Sequence, residues 1–246
     1  MKLLVDVGNT RIKWALLDGR DLGQYKASAY EMDTLPELLD DCWSDMPAPL
    51  GLSVANVCGA EVARVISAYA GRRWRLEPVY ARVRKTEAGV TNAYRDITEL
   101  GIDRWLGVVA AWKKYRAPLV VAGCGTAVTI DTVDDGGRHL GGLIIPGMRL
   151  MRNSLYTGTH GIAAAGTGDP AMDMGDSTAS CVANGAVWAV VSALERAGAD
   201  MELKFGEGLQ RLISGGDAAA VNGLLKRPYI LEPNLVLEGL AITTET

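Results

Sequence analysis

The stretch Leu3 to Leu17, LLVDVGNTRIKWALL, is an apolar run, one acid, a tight polar turn and a second run whose apolar residues alternate, and the same plan returns at Leu119 to Val133, LVVAGCGTAVTIDTV. Alternation around a glycine bend predicts a β-hairpin in each place. The turn glycines, Gly8 and Gly125, lie 117 positions apart in a chain of 246, close to half its length. Two halves that open alike imply two related domains facing one another, taken as residues 1–117 and 118–246. Each glycine lets the chain bend tightly and leaves no side chain between the backbone N–H groups and a ligand, so a phosphate could lie against the turn. Two such turns across a cleft could hold a polyphosphate from both sides. Asp6 would then face a phosphate-bound metal, although an ordinary hairpin with a satisfied Asp reads the same way.

Between the hairpins the pattern is that of α/β layers. A third strand is expected at Tyr25 to Tyr30, then a helix from Thr34 to Trp43 capped by Asp33, a buried strand from Leu50 to Asn56, a helix from Gly59 to Ala70 and a strand from Trp74 to Tyr80. Thr86 to Thr98 loses periodicity and reads as an ordered polar loop. A helix beginning near Asp103 buries Trp105, Val108, Val109 and Trp112 and closes on Lys113 and Lys114, with Pro118 preventing continuation. In the second half a strand is expected at His139 to Ile145 and a helix at Met148 to Tyr156. A mobile or partner-facing segment follows at Thr157 to Asp176, then a long helix to Ala197 ended by Gly198. A strand at Leu209 to Ile213, a helix at Ala218 to Leu225, a strand at Tyr229 to Leu231 and a helix at Asn234 to Ile242 complete the chain.

Composition narrows the function. A hydrophobic content of 48% supports a substantial core, and four scattered cysteines without C-x-x-C spacing argue for reduced thiols in a cytoplasmic protein rather than a metal site or a disulfide scaffold. Cys124 alone lies in a glycine turn. A net charge of −4 without a basic run speaks against nucleic acid, and no apolar stretch has the length of a membrane span or a secretory leader. Two distant histidines make a His triad or His metal cluster improbable, which leaves carboxylates to handle protons.

Asp103 stands where a helix N-terminus favours an ionised carboxylate, as a proton acceptor in phosphoryl transfer requires. A helix cap paired with Arg104 is the alternative. Tyr94 and Arg104 suit a polar organic substrate, since Arg grips a carboxylate with two parallel bonds; exposed Tyr and Arg read the same way. Ser214-Gly215-Gly216 offers bare backbone after a strand, as a base or ribose platform would need.

In order along the chain stand D-x-G-N-T at Asp6 to Thr10, N-x-Y at Asn92 to Tyr94, G-x-D-R at Gly101 to Arg104, G-T-A-x-T-I-D at Gly125 to Asp131, G-G-x-I-x-P-G at Gly141 to Gly147 and S-G-G-D at Ser214 to Asp217. This ordered set resembles type III pantothenate kinase over nearly the whole chain. The resemblance implies the fold shared by acetate and sugar kinases, heat-shock chaperone ATPases and actin: two ribonuclease-H-like domains with ATP in the cleft between them. It implies transfer of the ATP γ-phosphoryl group to pantothenate, the first step of coenzyme A synthesis. By position, Asp6, Val7, Gly8, Asn9, Thr10, Arg11, Ile12 and Lys13 resemble the first ATP loop, with Asp6 near Mg²⁺, and Thr126 belongs to the second. Tyr94, Gly101, Ile102, Asp103 and Arg104 match pantothenate contacts, with Asp103 the catalytic base. Family members are homodimers in which a Thr at a helix start reaches the neighbour's substrate, and Thr178 fits that role. Gly123 stands where many members carry an acid that helps bind potassium or ammonium, so here the monovalent cation is either not used or held by other oxygens. A kinase of the same superfamily acting on another small molecule, or a non-catalytic ATP-binding regulator, are the rival readings.

Overall fold

The computed structural model describes residues 1–162 and 171–244. It divides into two compact units, Met1–Lys114 with Asn234–Thr246, and Tyr115–Pro233. The boundary expected after residue 117 thus lies a few residues too late, and the final helix, expected in the second domain, belongs to the first unit.

In the first unit the chain runs β1 (Lys2–Val7), β2 (Arg11–Asp18), β3 (Asp21–Leu22), β4 (Lys26–Ala29), α1 (Leu35–Trp43), β5 (Leu52–Asn56), α2 (Gly59–Trp74), β6 (Val79–Tyr80), β7 (Thr86–Glu87), β8 (Val90–Thr91) and α3 (Ile102–Tyr115). The sheet order is β3-β2-β1-β5-β6, with β4 also on β2. β1 is antiparallel to β2 and parallel to β5, which is parallel to β6. Leu3, Val5, Val7, Ile12 and Trp14 alternate onto one face and pack against Leu35, Leu39 and Trp43 of α1 and Val62, Ile66, Tyr69 and Trp74 of α2.

The second unit contains β9 (Leu119–Cys124), β10 (Ala127–Val133), β11 (His139–Pro146), α4 (Met148–Gly158), α5 (Thr178–Phe205), β12 (Gln210–Ser214), α6 (Ala218–Asn222) and β13 (Ile230–Leu231). Its sheet order, β11-β10-β9-β12-β13, repeats the first: a glycine hairpin, a third antiparallel strand, then two parallel strands on the far side of the opening strand. Val120, Ala122, Cys124, Val128 and Ile130 pack on Val187, Val190, Val191 and Leu194 of α5. The chain then returns to the first unit as α7 (Leu235–Thr243), where a Cβ at Gly239 would stand 2.2 Å from the Leu106 carbonyl oxygen, so only glycine admits this approach to α3.

Several elements differ from the sequence reading. Asp33 lies inside a short 3₁₀ turn, and Thr34 occupies the cap position of α1. α2 runs on through Trp74, expected in a strand, because Trp74 continues the buried stripe of Ile66 and Ala70; the helix stops at Arg75, which takes a left-handed conformation at φ 57°. The polar loop contains the small β7–β8 hairpin. α5 passes through Gly198 to Phe205. Residues 163–170 of the segment expected to be mobile or partner-facing lie outside the described residues. Among the described residues, no helix is long and apolar enough to cross a membrane.

Candidate active site

The first glycine turn joins β1 to β2, and the strand register places Lys13 directly opposite Asp6. Both side chains lie on the face away from Val5 and Val7. Burial pushes the Asp6 carboxyl up to about 7; Lys13 opposes that rise, and the charge of Asp103 adds to it. Two acids far apart in sequence therefore sense one another inside the first unit. Within the turn the Gly8 N–H donates to the Arg11 carbonyl at 3.0 Å, while Asn9 and Thr10 are exposed. Val7 and Ile12 are fully buried core residues, so to a ligand they can offer main chain only.

Asp103 lies in the first turn of α3, where its Oδ1 accepts the Arg104 N–H at 2.8 Å. A Cβ at position 101 would fall 2.7 Å from that oxygen, so a larger residue there would push the carboxylate out of this position. The capping contact weighed from sequence is thus made by the Arg104 backbone. Its side chain, buried though charged, reaches Tyr94: one guanidinium nitrogen donates to the Tyr94 hydroxyl at 3.0 Å, and the group lies 5.9 Å from the ring centre. Tyr94 and Gly101 through Arg104 are therefore brought together, as expected.

What the sequence reading missed is the support beneath Tyr94. Asn92 is 1% exposed; its Oδ1 accepts the Tyr94 N–H at 2.9 Å, and its own backbone is clasped by Lys85, through the Asn92 N–H to the Lys85 carbonyl and Lys85 Nζ to the Asn92 carbonyl, both at 2.9 Å. An Asn bonding the amide two residues on is a recognised turn signature, and the N-x-Y spacing was the available sign of it.

In the second unit the turn at Gly125 and Thr126 closes through the Gly125 N–H to the Ala127 carbonyl at 3.1 Å. Two later motifs converge on it. The Gly147 N–H donates to the Thr126 carbonyl at 2.9 Å, and a Cβ at Gly147 would meet the Gly125 carbonyl at 2.1 Å. A Cβ at Gly215 would meet the Cys124 carbonyl at 2.1 Å, and the Asp217 N–H bonds that carbonyl at 3.1 Å. Gly215, read from sequence as a nucleotide platform, is thus required by close packing around the turn. Cys124 itself is buried and its thiol is pushed up to about 12 by that burial, with Asp217 adding to the rise. At Gly123 a Cβ would lie 2.8 Å from Oγ1 of its cross-strand partner Thr129, so a larger residue there would need that hydroxyl to turn aside. Thr178, the first residue of α5, is exposed and lines a cavity of about 760 Å³ with Met151, Leu155, Cys181 and Val182.

The sequence pattern of type III pantothenate kinase matches residues 2–199. A type III pantothenate kinase of Nitrosococcus oceani is 35% identical over 98% of this chain and 92% of its own. This chain belongs to the type III pantothenate kinase family. It is accordingly a kinase, a phosphotransferase that draws on ATP. The fold agrees: a protein from Campylobacter jejuni described as a Baf family transcriptional activator superposes with a TM-score of 0.57 at 19% identity, covering 99% of this chain and 98% of its own. One from Sinorhizobium meliloti described as a 2-dehydro-3-deoxygalactonokinase does so at 0.55 and 15%, covering 98% and 97%. Both units of this kinase carry the ribonuclease-H-like strand order that such proteins share.

Proposed function

We propose that the chain performs the family's reaction, phosphorylation of pantothenate by ATP at the entry to coenzyme A synthesis, with Asp103 as proton acceptor. The observation that carries the assignment is the match to type III pantothenate kinases over nearly the whole chain, and the charge of Asp103 on α3 acting on Asp6 of β1, next to the phosphate turn, supports Asp103 as the acceptor for the alcohol proton. ATP is assigned to Asp6 through Lys13 and to Thr126. Pantothenate is assigned to Tyr94, Gly101, Ile102, Asp103 and Arg104, the guanidinium taking its carboxylate. As the hydroxyl oxygen bonds to the γ-phosphorus and the bond to the leaving diphosphate breaks, the alcohol proton passes to the Asp103 carboxylate.

A divalent cation fits the donors present. Asp6 is a desolvated carboxyl pressed by a second acid, which a cation relieves. This is the setting for Mg²⁺, which binds one or two carboxylates together with phosphate oxygens and supplies positive charge at those oxygens. Asp6 would hold it. Gly123, which has no carboxylate to offer, supports a kinase without an acid-bound potassium or ammonium ion at that position. The exposed Thr178 supports a homodimer in which this residue meets the neighbour's substrate, and four free cysteines support a cytoplasmic setting.

The test is phosphorylation by the purified chain with Mg²⁺ and ATP across a panel of pantothenate, sugars and small hydroxy acids. Phosphopantothenate is the expected product. Preference for a sugar, or nucleotide binding without transfer to any acceptor, would overturn the assignment.

A further inference from the structure

Tyr30 follows β4, the strand laid against β2, and its side chain reaches back across the first turn. Its hydroxyl lies 3.0 Å from the Gly8 carbonyl oxygen and 3.2 Å from Cys58 Sγ. The hydroxyl has one proton, and a carbonyl oxygen is the far stronger acceptor, so the proton goes to Gly8 and the sulfur packs alongside. The Tyr30 N–H also points at the turn, 3.4 Å from the Thr10 carbonyl. From the other side the Val57 N–H donates to the Val7 carbonyl at 3.2 Å, and Cys58 Sγ lies 3.7 Å from the same oxygen. Asn56 holds that second arm rigid, accepting the Cys58 N–H and donating to the Gly59 carbonyl, both at 2.8 Å.

The consequence follows from the planarity of the peptide bond. The Gly8 carbonyl and the Asn9 N–H belong to one rigid trans peptide and point in opposite directions. Drawing the carbonyl in toward Tyr30 therefore turns the Asn9 N–H out, on the side where Asn9 and Thr10 are exposed. The Gly8 N–H is already engaged by Arg11, so the orientation of this next amide decides what the turn presents to an anion. We infer that Tyr30 is a positioning residue of the phosphate turn, fixing the Asn9 amide toward a nucleotide phosphate through its bond to the Gly8 carbonyl. The inference rests on the assignment of nucleotide phosphate to this turn and not on the identity of the acceptor alcohol.

The experiment is calorimetric titration of the intact protein with ADP and Mg²⁺, so that no turnover intervenes, for Tyr30→Phe and for a control, Tyr80→Phe. Tyr80 also bonds a backbone carbonyl of the first unit, that of Ala63 at 2.7 Å on α2. A hydrogen bond of ordinary worth makes ADP binding about fivefold weaker in Tyr30→Phe. In steady state the KM for ATP should rise with kcat and the pantothenate KM held, while Tyr80→Phe binds ADP like the unsubstituted protein. Unchanged ADP affinity in Tyr30→Phe, or an equal loss in Tyr80→Phe, would overturn the inference. Binding of ADP is read without any acceptor, so a chain that failed to phosphorylate pantothenate would leave this outcome legible.

Discussion

Asp103 and Arg104 are adjacent in sequence yet set apart in duty by the helix they open. Asp103→Asn keeps an oxygen to accept the Arg104 N–H and loses the basicity and the charge, so the fold should be retained while turnover falls by roughly 10² to 10⁴. A near-normal kcat would remove Asp103 from the chemistry. Cys124 offers a check of a different kind. Thiolate is the reactive form, and with the thiol pushed up to about 12 its fraction grows with pH but stays very small near neutrality. Mass-spectrometric mapping of iodoacetamide labelling at pH 8 should therefore find the exposed Cys181 modified and Cys124 intact, and labelling of Cys124 at a comparable rate would contradict its burial. Since Gly123 supplies no carboxylate to a monovalent cation, exchange of potassium for sodium should leave turnover unchanged, and a clear gain in turnover with potassium would show that other oxygens hold the ion. The acids, the Arg and the turn glycines were legible from residue type and spacing. Asn92 left a sign in the N-x-Y spacing that was not followed to its bond, whereas Tyr30 left none, because it acts on the Gly8 carbonyl 22 positions away and periodicity carries no trace of such a bond.

Helix ends show why elements were read less well than their existence. Glycine is a common stop because it tolerates the left-handed conformation, yet α2 stops at Arg75 in that conformation and α5 runs straight through Gly198. The glycine in α5 answers to packing. A Cβ there would stand 2.8 Å from the Tyr229 hydroxyl and 3.1 Å from Arg211 Nε, and that hydroxyl is itself fixed on the Leu194 carbonyl at 2.7 Å. Two effects of opposite sign compete in Gly198→Ala: about 1 kcal/mol gained from helix propensity and about 1 to 3 kcal/mol lost to overpacking. The clash should win, lowering the urea midpoint, and the loss should shrink when Tyr229→Phe is added. A more stable single variant would show that the neighbours yield freely. The β7–β8 hairpin was missed for a simpler reason: two-residue strands are too short to show alternation.

At the scale of the whole chain, the two hairpins foretold two related halves, and each half carries a sheet of the same strand order, built on the strand with which it begins. What the repeat did not foretell was the return of α7. Leu235, Leu237 and Leu240 are each about 1% exposed, and burying three such side chains contributes on the order of 5 kcal/mol, comparable with the whole stability of a small domain. Truncation after residue 233 should therefore unfold the first unit, while the contiguous stretch 115–233 is the fragment to express alone. Circular dichroism melts of both check this, and a cooperative melt of isolated 1–114 would count against it. For a ribosome the order is inverted: the half that emerges first must wait, incomplete, until residues 234–244 have left the exit tunnel, and the half made later is finished sooner.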